Sequence, residues 1–250
     1  MSQQVNGLDK NLARLGAVCG ALASLAYIAL AIIYFQLPHN QRPGGGYSEG
    51  VFLKSGPQGY QLLMGEMWAI SLSAIFAIGA IIAVSEYMRR HNEGLVRYTT
   101  TLAIIGLSAL AITYLLDQWH TPQLLDGYQH LDASGRAVLD VIGTRHLDPQ
   151  AIWGFGMVGI WFLVVNGLGL QKNVFPRWLG YVGLVVGAAY LCVTIGRITV
   201  TADFIKTAAT LGGVVAPIWY VGMGLHLLST TQGASAPASV LGAKPATAVE

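Results

Sequence analysis

The sequence predicts an all-α polytopic membrane protein, a six-transmembrane-helix bundle with a short surface helix in the outer loop between spans three and four. Three observations predict it. Only 10% of the 250 residues are charged and 54% are hydrophobic, against about 25% charged in soluble domains. The charges gather in short segments between long uncharged windows, the pattern of loops and spans. Finally, Gln150 to Gln171 and Trp178 to Gly196 are both free of charge and flank one turn, Lys172 to Arg177. Each run is long enough to cross a hydrocarbon core of about 30 Å as a helix. Pro176 supplies the break between them, Arg177 marks the expected cytoplasmic side, and Trp178 suits the headgroup level.

Taken in order, residues 1–14 read as a polar cytoplasmic lead, 15–228 as the membrane domain and 229–250 as a disordered cytoplasmic tail rich in Ser, Ala, Thr and Gly. Span one runs from Leu15 to Leu37. Lys10 and Arg14 ahead of an apolar run resemble the start of a secretory signal, but the run of 23 residues exceeds the h-region of about 7 to 15, so a retained signal-anchor helix is expected. The loop His39–Tyr60 carries Gly44, Gly45, Gly46 and Gly56-Pro57, with Val51-Phe52-Leu53 expected to dip into the interface. Span two, Tyr60–Val84, holds Glu66 about two turns inside its first end. A basic loop, Glu86–Arg97, leads to span three at Tyr98–Leu116, which Asp117-Gln118-Trp119-His120 closes.

In the longest connection, Ala137, Val138, Val141 and Ile142 recur at helical spacing against Arg136 and Asp140, which predicts a surface helix over Ala133–Ile142. Pro149 suits the first turn of span four. After span five comes a short polar connection, Arg197–Lys206, and span six covers Ala208–Leu228 with Pro217 as a kink. Glycines such as Gly180, Gly183, Gly187, Gly212, Gly222 and Gly224 are expected to let helices of this bundle approach one another. Cys19 and Cys192 lie within apolar runs and read as small hydrophobes, with no disulfide and no zinc-ligand spacing. No basic patch exceeds Arg89-Arg90-His91, so nucleic acid is excluded as a partner.

Orientation follows from Lys and Arg. One side holds Lys10, Arg14, Arg89, Arg90, Arg97, Lys172, Arg177 and Lys244, against Arg42, Lys54, Arg136, Arg145, Arg197 and Lys206 on the other. Most of the eight lie in short segments beside span ends, while Asp117, Asp126, Asp132, Asp140, Asp148 and Asp203 all fall opposite, so the first side is expected to be cytoplasmic and to hold both termini.

That topology brings Glu66, Asp117, His120, Arg145, His146, Asp148 and Arg197 near outer span ends. An ionisable group within a span faces protein or a watery cavity and not lipid. Three readings of the cluster are open. In the first, Arg197 clamps Glu66 or Asp117 in a structural ion pair. In the second, His120, His146 and Asp148, with Glu66 and Asp117, hold a divalent metal that activates water; Glu66, Asp117 and His120 are then the catalytic candidates, Asp117 and His120 being adjacent at i, i+3 if the helix continues. In the third, Trp68, Tyr114, Trp119, Trp153 and Trp161 line a pocket for a lipid, quinone or other small molecule. An interfacial belt competes with that role for Trp119 and Trp178. Asn166 and His226, near inner span ends, are expected to bond helix to helix. No phosphate loop, nucleophile elbow or His-Glu-x-x-His motif occurs.

The stretch Phe175-Pro176-Arg177-Trp178-Leu179-Gly180, with Tyr181 to Gly187 after it, resembles the penultimate hairpin of an uncharacterised bacterial family, domain of unknown function 4386. The resemblance covers residues 10–228 in layout and about fifteen residues in motif. It implies six spans and a long loop before the fourth that ends in a His, where His146 and Gly154 to Gly169 stand; it implies no catalytic residues. The longer first loop and the number of outer acids depart from that pattern.

The function expected from the sequence is therefore a non-enzymatic accessory or binding subunit of the bacterial inner membrane. It would contact a partner membrane protein, a second copy or a small apolar ligand at its outer face, with no cofactor. A metal-dependent hydrolase is the alternative and a secondary transporter comes third.

Overall fold

In hydrocarbon the backbone N–H and C=O groups have no water to bond, so a spanning chain must satisfy them within helices. The computed structural model follows that rule: the elements among the described residues are all helical. It describes residues 9–36, 56–142, 148 and 152–233. The helices are α1 (Lys10–Gln36), α2 (Gly56–Met88), α3 (Glu93–His130) and α4 (Ala133–Ile142). α5 opens with a π-helical turn at Ile152–Met157 and continues as Val158–Gln171; α6 (Arg177–Thr199) and α7 (Ala202–Gly233) follow. All but α4 are long and apolar enough to cross a membrane, which makes six candidate spans.

The six spans form a closed ring. Each packs on the next in the order α1, α2, α3, α5, α6, α7, and α7 returns to α1. Lipid-like tails give helices no hydrophobic reason to associate, so contact depends on close approach and polar bonds. Both occur here. The ring's centre is filled by aromatic side chains: Phe162 meets Trp161, Trp219, Tyr190 and Tyr220 edge to face, with centroids 4.7 to 6.0 Å apart. Such pairs are stable geometries for the ring quadrupoles. The predicted glycines do pack within the bundle. A Cβ on Gly20 would sit 2.8 Å from the Tyr220 carbonyl, and one on Gly183 would overlap the Asn166 amide.

The periphery is apolar in the opposite sense. Leu15, Val18, Leu25, Ile32 and Phe35 all project outward from α1, the surface expected of a helix bathed in hydrocarbon.

Three boundaries differ from those read in hydropathy. α3 does not close at Asp117-His120 but continues through Pro122 to His130. Its polar residues Asp117, Gln118 and Thr121 are buried, so hydropathy drops there while the helix persists. The Arg197–Lys206 connection shrinks to Val200 and Thr201, because Val200 takes a left-handed φ of 56° and reverses the chain at once. α7 extends to Gly233, into the stretch read as tail, with Ser229 and Thr230 hydroxyls bonded back to the His226 and Leu227 carbonyls. The interfacial dip at Val51–Leu53 and the first turn at Pro149 lie outside the described residues.

We call the end with the Lys172–Pro176 turn the near end and the other the far end. Near-end residues include Lys10, Arg89 and Arg177; far-end residues include Glu66, Asp117 and Asp148.

Candidate functional site

The far half of the α2–α3 contact is a buried polar seam. Glu66 is 8% exposed and Asp117 only 3%, and Ser71, Gln118 and Thr121 are buried beside them. Helical spacing explains the gathering: Asp117, Gln118 and Thr121 stand at i, i+1 and i+4 of α3, one continuous face. Gln118 Nε2 donates to Ser71 Oγ at 3.3 Å, and Ser71 Oγ donates to the Met67 carbonyl at 2.8 Å. Thr121 Oγ1 donates to the Asp117 carbonyl at 2.6 Å and lies 3.7 Å from Met67 Sδ. Leu63 and Met67, with Leu62, Met64 and Tyr114 against them, form a separate apolar cluster at this end.

The pairs Ser71–Gln118 and Met67–Thr121 fix the antiparallel register. It sets Glu66 beside the Pro122 turn and Asp117 beside Ser71, so the two acids stand roughly 8 Å apart along the bundle at 1.5 Å per residue. Their backbone positions therefore lie at two depths of the bundle. Glu66 Oε2 is buried and meets no hydrogen-bond partner among the described residues. A buried polar atom left in that condition costs free energy unless something supplies a donor.

Comparison with protein families gives a match to Domain of unknown function (DUF4386) over residues 47–230. The chain belongs to this family. Comparisons with curated proteins and with solved structures gave no match. The matched stretch of DUF4386 runs from before α2 to residue 230 within α7, and so holds both Glu66 and Asp117, while α1 precedes it.

The other residues singled out in the sequence do not converge on this seam. His120 does lie one turn from Asp117 on a continuous helix, but it is exposed where Asp117 is buried. Asp148 is occupied as a helix cap. Its Oδ1 accepts from Ile152 N at 2.9 Å and its Oδ2 from Trp153 N and Gly154 N, both at 2.7 Å. Three N–H groups that α5 would otherwise leave orphaned are thereby satisfied. His146 and Arg145 lie outside the described residues. No group of three or more His, Cys, Asp or Glu able to hold a metal occurs among the described residues. Arg197 is exposed in the last turn of α6, and no ion pair joins it to Glu66 or Asp117 among the described residues.

The five aromatics do not share one pocket. Trp68, Trp119 and Trp153 face outward, Trp161 is buried in the ring centre, and Tyr114 packs by Leu63 and Met67. Trp119 at 70% exposure and Trp178 at 52% suit an interfacial belt. Asn166 and His226 make the helix-to-helix bonds expected of them. Asn166 Oδ1 accepts from Trp219 Nε1 at 2.8 Å, and its Nδ2 donates to the Phe162 carbonyl at 2.8 Å. His226 Nε2 lies 3.4 Å from Tyr87 Oη, which also reaches the Val174 carbonyl at 3.2 Å.

Sequence reasoning passed over Ser71, Gln118 and Thr121. The i, i+1, i+4 spacing after Asp117 carries the signal of a continuing helix face, while hydropathy drops there as it does at the end of a span.

Proposed function

We propose that this DUF4386 chain is a non-enzymatic binding subunit of the bacterial inner membrane. Its far-end seam between α2 and α3 receives a hydrogen-bond donor carried on a small apolar ligand. The observation that carries the reading is the buried Glu66 carboxyl, whose Oε2 meets no partner among the described residues, in a polar seam walled by Leu63, Met67 and Tyr114. Carboxylates within spans are costly and mark sites for ligands or ions more often than packing. The hydrolase alternative draws on His120, His146 and Asp148, and the exposure of the first and the capping role of the last favour binding over catalysis. The basic near end supports a cytoplasmic position for both termini.

The test is native mass spectrometry of the full chain purified in mild detergent, wild type against Glu66→Gln and Glu66→Leu. A small-molecule adduct on the wild type that Glu66→Leu abolishes and Glu66→Gln weakens is the expected result. If no adduct is present and Glu66→Leu is more thermally stable than wild type, the carboxyl is a packing remnant and the reading fails. A proton-coupled flux in vesicles that Glu66→Gln abolishes would replace binding with transport.

A further inference from the structure

The near end carries a second arrangement that the seam does not use. The short α2–α3 connection presents Arg90 and His91, and the α5–α6 turn presents Lys172. The acids of this end are already engaged elsewhere. Glu86 and Glu93 hold Arg89 at 2.7 and 2.8 Å, and Glu93 also meets Arg97 at 3.4 Å. Arg90 and Lys172 are both exposed and meet no carboxylate among the described residues.

These two cations are held in place relative to each other. The Arg90 guanidinium stacks over the Tyr87 ring, 4.8 Å from its centroid, and donates from Nε to His91 Nε2 at 3.3 Å. Tyr87 Oη in turn donates to the Val174 carbonyl at 3.2 Å, which ties the Arg90 platform to the turn that carries Lys172. In that turn Asn173 adopts a left-handed φ of 50°, and Val174 N closes on the Gly169 carbonyl. Partial burial, then the charges of Arg90 and of Lys172, push the His91 imidazole below its usual range, so both cations lie within electrostatic reach of one ring. A neutral ring that accepts at Nε2 carries its proton on Nδ1. Two cations and an imidazole donor therefore share this corner of the near end, and among the described residues no carboxylate pairs with either cation. Exposed Tyr98 in the second turn of α3 and exposed Trp178 in the first turn of α6 mark the headgroup level at the same end of the bundle.

We infer that Arg90, His91 and Lys172 form a binding site for the phosphate of an anionic phospholipid headgroup. Arg90 and Lys172 supply the charge and His91 an N–H, and the site bridges two loops that covalent connection leaves far apart. A free phosphate has the same acceptor oxygens, but exposed Tyr98 and Trp178 at this end of the bundle suit the headgroup level and favour a lipid as its source.

The experiment is a native mass spectrometric titration of the detergent-purified full chain with phosphatidylglycerol, with phosphatidylcholine as the neutral comparison and inorganic phosphate as competitor. A saturable phosphatidylglycerol adduct is expected, weaker or missing with phosphatidylcholine and undisturbed by tenfold inorganic phosphate. Arg90→Gln and Lys172→Gln should each weaken it roughly fivefold, the ratio matching about 1 kcal/mol per basic group near a membrane surface. Lys172→Arg should retain it. The paired variant Lys10→Gln with Arg14→Gln removes two charges from the same end on α1 and should leave it unchanged. Equal loss in that pair would reduce the effect to diffuse charge and overturn the site. Displacement by inorganic phosphate would overturn the lipid assignment, and unchanged affinity in Arg90→Gln and Lys172→Gln would overturn both.

Discussion

One indole N–H links α5 to α7 across α6. Asn166 is fully buried, and its amide works at both ends, accepting from Trp219 and donating to the Phe162 carbonyl one turn back. Gly183 on α6 leaves room for it, since any Cβ there would occupy the amide's place. Truncation as Asn166→Ala strands the Trp219 N–H in a place no water reaches, at an expected cost of about 1–2 kcal/mol. Trp219→Phe removes the donor instead. The double variant should cost less than the two single changes together, with a coupling of roughly 0.6–1.7 kcal/mol, the range found for polar contacts in membrane bundles. Unfolding in a denaturing-detergent titration followed by helicity would measure it, and additive losses would mean that the bond contributes nothing beyond packing. The sequence marks Asn166 and His226, near inner span ends, as helix-to-helix residues because a polar group within an apolar run must find a partner. Their partners, Trp219 and Tyr87, were not legible: they are 53 and 139 residues away and are chosen by how the ring closes.

At the scale of elements, the connections show where backbone geometry and residue type agree and where they conflict. The α5–α6 turn agrees, with Asn173 in the left-handed region that Asn tolerates. The α6–α7 turn conflicts. Val200 holds φ 56° while 86% exposed, a conformation that a β-branched residue adopts at a cost. Val200→Gly should therefore raise stability by about 1 kcal/mol, the lower end of the left-handed penalty for residues with a Cβ; an unchanged or lower melting temperature would show that the valine side chain contributes contacts outweighing the strain. α4 shows agreement of another kind. Asp132 precedes it, and its Oδ1 accepts from Gly135 N at 2.7 Å and from Ser134 Oγ at 2.9 Å. The Gly135 N–H first, then the Ser134 hydroxyl, hold this carboxyl below the usual aspartate range. A depressed folded pKa means that the cap's contribution is complete above the ordinary aspartate value and lost as pH falls through the lower one. Amide exchange at Ser134 to Arg136 should accelerate over that acid window and not near neutrality; Asp132→Ala should show the fast rate at every pH. Ala133–Ile142 itself was legible because an amphipathic period survives at a surface. The far half of α3 was not, since a helix continues by its hydrogen bonds after its lipid-facing character has ended.

For the whole molecule, two different rules act on the two faces of each helix. The lipid face demands apolar side chains without pattern, and that demand makes six spans readable from uncharged windows alone. The inner face is set by shape and by hydrogen bonds between distant residues, so neither the closed ring nor its Trp161–Phe162–Trp219 centre could be read from periodicity. The same division separates what was readable in the candidate site. Glu66 announces itself as an acid in an apolar window, whereas the match of Ser71 with Gln118 depends on register. Charge, by contrast, acts on the molecule as a whole. Lys10, Arg14, Arg89, Arg90, Arg97, Lys172 and Arg177 all fall at the near end of the ring, beside the start of α1 and the end of α7. An even number of crossings puts those two helix ends on one side, and basic groups next to span ends resist translocation, so that side should be the cytoplasm. Paired reporters test this directly. A fluorescent protein that folds only in the cytoplasm should be bright, and a phosphatase that matures only outside should be inactive, when either is fused ahead of residue 10 or after residue 233. Opposite readings at the two ends would require an odd number of crossings, and the ring could not then close α7 onto α1 as it does. Like readings with the phosphatase active would keep the ring and invert it, which would place Arg90, His91 and Lys172 outside and Glu66 toward the cytoplasm.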